Sequence, residues 1–285
     1  MADAPQWPPY VHPTAAPRAH KKHIRHQPPL LRILYVDPIL NIEAKFMLFD
    51  RPLYRQQVLW IAALTGILVF VLWNIPALDF LLYPFRLFVT FVHEVGHSLM
   101  AEFTGGRVIE FTVFGNGTGI ATTAGGNRLL ILPAGYLGAA FFGASLFYLV
   151  NTVPIPRKLS LALGTVMILI ALFMRATGMA LVIGVLTGLA LVFLSLRGSV
   201  GLNMLVLNLL AVLTGLNAVL DLLFVIQNSS AALGTVRNDA AAMAELTPGI
   251  PAVIWALIWA LIAVFMLGSA VWYSVLRPLR QGELV

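Results

Sequence analysis

The 285-residue chain has no cysteine, and only 11% of its residues are charged. The first absence excludes disulfides, thiolate metal sites and cysteine nucleophiles, so any metal must be held by His, Asp or Glu. The second falls far below the roughly 25% of an ordinary soluble domain. With 59% hydrophobic residues and a mean hydropathy of +0.88, the chain lacks the polar side chains needed to cover a soluble core. A soluble enzyme, a disordered chain and a nucleic-acid-binding domain are poor fits; a polytopic membrane protein is the strong one. The net charge of +6 does not argue for nucleic acid. Eight of the 18 Lys and Arg precede residue 58, and the rest sit singly near the ends of apolar runs, which is how membrane proteins place their basic residues.

The first residues also lack a short apolar stretch followed by a small-residue cleavage site, so no secretory signal is expected. Instead, residues 1–29 are rich in Pro and carry His20-Lys21-Lys22-His23-Ile24-Arg25-His26. The composition is that of a tail that forms no core. Its basic run is a topogenic signal, with lipid-headgroup attachment and metal capture as alternatives. Over 37–49, Asp37-Pro38 offers an N-cap and a first-turn proline, and Ile39, Ile42, Phe46 and Phe49 recur at helical spacing; this predicts an amphipathic helix at the membrane interface.

Spans of about 20 apolar residues follow, at 57–75, 81–103, 128–150, 158–174, 178–197, 200–226 and 250–275. Trp60 and Trp73 flank the first, and Trp272 and Tyr273 close the last, as interfacial aromatic belts do. The tail charges place the N-terminus in the cytoplasm, although Arg157, Lys158, Arg277 and Arg280 then fall on the opposite side. Between the second and third spans, Gly105-Gly106 ends a helix. Residues 108–114 and 120–123 then read as two strands around Gly115-Asn116-Gly117-Thr118-Gly119. A ribbon beside a membrane has an open edge, and an extended peptide can pair with it; Phe111 and Val113 of the first strand are therefore candidate substrate contacts. The expected fold is an all-α polytopic membrane protein. It has a bundle of about seven transmembrane helices with a small β-hairpin, and divides into an N-terminal tail with an interfacial helix (1–56) and a membrane domain (57–285).

Ionisable residues within spans are costly and usually functional. The second span contains His93-Glu94-Val95-Gly96-His97. Positions i and i+4 share a helix face, so both histidines can ligate one metal ion. Glu94, about 100° around the helix, can act as base towards a water at the open coordination position. Beyond residue 26 these are the chain's only histidines. A catalytic zinc usually takes a third protein ligand, which here must be a carboxylate or a tail histidine. Asp221 is the first candidate. It is the only carboxylate in a later span, and it lies at nearly the same depth as His97 if the second and sixth spans run in the same direction. Asn217, one turn earlier, can hydrogen-bond substrate or Asp221. Asp239, in the apparent loop Val236-Arg237-Asn238-Asp239, is the competitor.

The HEVGH helix, the glycine pair, the hairpin and then Pro133-Ala134-Gly135-Tyr136 at the start of another span together resemble the site-2 protease family of intramembrane zinc metalloproteases. The resemblance is clearest over 88–150 and weaker over 208–226, where Asp221-Leu222 stands without the family's Asp-Gly pair or its upstream proline. It implies His93 and His97 as zinc ligands, Glu94 as catalytic base, and an aspartate on a later span as third ligand. It also implies a membrane-protein substrate cut within the bilayer. Two other readings stand beside it: a non-catalytic subunit or scaffold of a membrane complex, and a transporter using the same residues as a proton relay. The transporter reading calls for an internal inverted repeat, and none is found. Whether the chain works alone, as an oligomer or in a larger complex is left open.

Overall fold

The computed structural model describes residues 55–228 and 238–280. The basic tail and the amphipathic helix expected over 37–49 lie outside the described residues. Helix α1 spans Arg55–Asn74, and a short 3-10 turn, Pro76–Leu78, leads into α2, Asp79–Phe103. Strands β1 (Arg107–Val113) and β2 (Gly119–Ala124) follow, then α3 (Arg128–Thr152) and α4 (Pro156–Phe173). A two-residue strand β3 (Ala176–Thr177) precedes α5 (Gly178–Arg197) and α6 (Val200–Gln227). The short α7 covers Asp239–Leu246, and α8 (Ala252–Val271) continues through a π turn, Trp272–Leu276, into α9, Arg277–Arg280.

Six of these stretches are long and apolar enough to cross a membrane: α1, α3, α4, α5, α6 and the continuous α8 to Arg280. The other expected span, α2, has 25 residues but carries Asp79, Arg86, Glu94 and Glu102. A helix with that many ionisable groups needs shelter from lipid. Glu94 gets it, buried where α1, α3, α5, α6 and the two strands pack on α2, while Asp79 and Arg86 stay about half exposed and pair with each other. The result is an all-α, multi-pass integral membrane protein with one small sheet.

Local chemistry sets the boundaries of α2 and α3. After Thr104, Gly105 takes φ +81°; its N–H donates to Glu102 O (3.1 Å), and the N–H of Gly106 donates to Ala101 O (2.8 Å). This paired closure of a helix end needs a left-handed residue, which glycine supplies without steric cost. Asn127 caps α3 by accepting from the N–H of Leu129 at 3.0 Å. Small residues let α3 and α6 touch: a β-carbon on Gly143 would lie 2.7 Å from Ala211 O, so the two backbones can approach this closely only at glycine.

The sheet departs from expectation. Its order is β2-β1-β3. β1 pairs antiparallel with β2, with a bulge between Val108 and Glu110, and parallel with β3 through Phe111 and Thr112. The first strand of the hairpin is therefore central where it passes Phe111, not an open edge. Phe111 (0% exposed) and Val113 (2%) point into the main core, so the expectation that they contact substrate is corrected. β3 lies in the break between α4 and α5. Two residues are too few to leave a strand pattern, and the pairing exists only because that break lands beside β1. Among the described residues, β2 pairs with β1 alone.

Candidate metal centre

The i, i+4 spacing in α2 turns both imidazoles towards the start of α3. His93 Nε2 and His97 Nε2 lie 3.0 Å apart. On its far side, His97 donates from Nδ1 to Ile131 O at 2.7 Å. That bond assigns a proton to Nδ1 and turns Nε2 into the site, as a second partner does for a metal-ligating histidine. Gly135, two turns into α3, makes room for the pair: a β-carbon there would stand 2.5 Å from His93 Cε1 and from His97 Nε2.

The third group is Asp239. Its Oδ2 lies 3.1 Å from His93 Nε2 and 3.3 Å from His97 Nε2. The segment read as a loop is in fact a helix start. Asn238 accepts from the N–H of Ala241 at 2.9 Å and so caps α7, placing Asp239 in the first turn, where a carboxylate is favoured. α7 then buries Ala240, Ala241 and Met243 against Tyr136, Leu222, Val225 and Trp259. The Trp255 indole donates to Thr247 Oγ1 at 2.9 Å and ties down the residue that follows the helix. Burial alone would push the Asp239 carboxyl up. The charge of His97 and hydrogen bonds with His93 and His97 outweigh that and hold it below the ordinary carboxylate range.

These three atoms fit a tetrahedral zinc. Ligand atoms about 2.0–2.1 Å from one ion at tetrahedral angles lie roughly 3.3 Å from each other, and the observed separations run from 3.0 to 3.3 Å. The donor set, two imidazole nitrogens and one carboxylate, is also one that zinc takes. Among the described residues, these three form the group of His, Asp and Glu able to hold a metal.

Asp221, the first choice on sequence, is not in that group. Its Oδ2 accepts from Asn217 Nδ2 at 2.7 Å, although it is close enough for its charge to act on His93. Matching depth along two helices brought it near the site without fixing which way it faces, and α7 folds back to fill the position. Asn217 also lines a cavity of about 160 Å³ with Trp73, Asp79 and Arg86. Glu94 sits beside the imidazoles, buried, next to Ala121 in β2. A β-carbon on Gly119 would lie 2.5 Å from its Oε1, so β2 passes directly over this residue.

Sequence reasoning missed Tyr136, whose ring packs edge-to-face on His93 with centroids 4.7 Å apart. Its place, next to Gly135 in the third span, was the available signal. A family model described as peptidase M50B-like matches residues 61–270, a stretch containing every residue of this centre. No curated protein and no solved structure matches the chain.

Proposed function

The chain belongs to the peptidase M50B-like family, within the site-2 proteases, and from that premise we propose that it is an intramembrane zinc endopeptidase acting on membrane-protein substrates. The observation that carries this reading is the convergence of His93 Nε2, His97 Nε2 and Asp239 Oδ2 beside the Glu94 carboxylate. His93, His97 and Asp239 would hold the ion. Bound there, zinc supplies Lewis acidity, lowering the pKa of a coordinated water and polarising a carbonyl.

The chain's own residues do the rest. Glu94 accepts the proton of the attacking water and delivers it to the leaving amine as the peptide bond breaks. β2 passes over its carboxylate at Gly119 and confines it. Asp221, held by Asn217, adds negative charge beside His93 and favours cation occupancy. A helical substrate is resistant to cutting while its backbone is internally bonded, so it must be presented extended. The outer edge of β2 lies next to Glu94 and supports pairing with such a strand.

The test uses the full chain purified in detergent. Zinc should be present near one per chain and fall sharply in His93→Ala, and a quenched fluorogenic peptide with an apolar span should be cut by the wild type and not by Glu94→Gln. Wild-type protein that holds no metal and cuts no peptide overturns the reading.

A further inference from the structure

A peptidase needs more than a base and a metal. As water adds to the scissile carbonyl, its oxygen gains charge, and a hydrogen-bond donor already aimed at that oxygen is usually among the largest contributions to the rate. The side chains already assigned do not supply one freely. Glu94 is a carboxylate, which accepts but does not donate. Asn217 commits an amide hydrogen to Asp221. The His97 Nδ1 proton goes to Ile131 O.

Tyr136 is different. It is 9% exposed, lies against His93 at 4.7 Å between ring centroids, and its hydroxyl makes no hydrogen bond among the described residues. The neighbouring residue, Gly135, lies directly against His93 and His97 Nε2, which puts Tyr136 at the rim of the metal centre. The ring is fixed from behind by Trp259, at 6.2 Å, and by the apolar side chains of Leu222 and Val225. A phenol O–H without a partner is free to donate to an incoming group.

We propose that Tyr136 is a catalytic residue whose hydroxyl donates a hydrogen bond to the substrate carbonyl oxygen as that oxygen becomes an oxyanion. It transfers no proton; it binds the tetrahedral species more strongly than the planar carbonyl. The proposal rests on the protease reading above, and its test separates the two. The full zinc-loaded chain is assayed with the same fluorogenic peptide, and its affinity for a peptidyl phosphonate of matching sequence, which presents a tetrahedral anionic oxygen, is measured by competition and by direct calorimetry.

Tyr136→Phe keeps the ring against His93 and Trp259. It should lower kcat about 100- to 1000-fold, with zinc content and KM nearly unchanged, and weaken phosphonate binding by a similar factor. Site-specific 4-aminophenylalanine at position 136, which restores a donor, should recover most of the phosphonate affinity. A role in packing alone predicts no such rescue. Phosphonate affinity in Tyr136→Phe equal to the wild type overturns the proposal, while the zinc content and the Glu94→Gln result still decide the protease reading independently. If Tyr136→Phe loses metal, 4-aminophenylalanine and 4-methylphenylalanine at this position, similar in size and opposite in donor capacity, decide instead. Equal phosphonate affinity in that pair overturns the proposal.

Discussion

Asp239 Oδ2 lies 3.1 Å from His93 Nε2 although 146 residues of chain separate them. This contact joins the first turn of an eight-residue helix to the middle of the ionisable helix α2. It converts an i, i+4 histidine pair, common enough on any helix, into a three-atom cradle.

The two aspartates should part company when each is neutralised in place. Asp239→Asn removes a ligand and should weaken zinc binding by more than the about 10- to 100-fold typical of an outer-shell partner. Asp221→Asn should stay within that range. Competition with a chelator of known affinity measures both, and the reverse order would return the third position to Asp221.

Glu94→Gln preserves shape and removes the acceptor. Cleavage of the fluorogenic peptide should fall at least about 100-fold, the low end of general-base contributions, with zinc content unchanged by elemental analysis. Residual cleavage near the wild-type rate would assign the proton transfer elsewhere.

Gly135→Ala tests the room left for the imidazoles. A methyl group there runs into both rings, so either they turn away or α3 shifts. The expected result is loss of stoichiometric zinc and a destabilisation of about 1–3 kcal/mol from overpacking, followed by thermal unfolding in detergent. Full zinc occupancy with unchanged unfolding would mean that α2 and α3 are not held this close.

Asn238→Ala removes the cap that sets Asp239 in its turn. Caps of this kind contribute about 0.5–2 kcal/mol. Zinc affinity should therefore fall several-fold, and Asn238→Ser should restore it. Equal zinc affinity in the Ala variant would show that α7 is placed by its apolar face alone.

Much of this architecture was legible before any coordinates. The membrane spans were written in runs of apolar residues, and the 57–75 and 200–226 estimates fall within two residues of Arg55–Asn74 and Val200–Gln227. HEVGH carried its own geometry, because helical spacing fixes which side chains share a face. Asp239 was legible only in part. Asn238 followed by Asp239 and an alanine-rich run is an N-cap signature, yet next to long apolar spans so short a helix reads as a loop. What puts Asp239 beside the histidines is the docking of Ala240, Ala241 and Met243 on α3, α6 and α8, a tertiary choice without a local trace. β3 is the same case at smaller scale: Ala176 and Thr177 become a strand only because Phe111 and Thr112 lie alongside.

The separation of His93 from Asp239 also has a consequence in time. Translation runs at about 5–20 residues per second, so a growing chain that has placed α2 in the membrane waits roughly 7–30 s before residue 239 is made. During that interval two imidazoles and a base are present without the carboxylate that completes them. The ribosome thus delivers the third member of the His93–His97–Asp239 cluster late, when nearly all of the helices around it have already been synthesised.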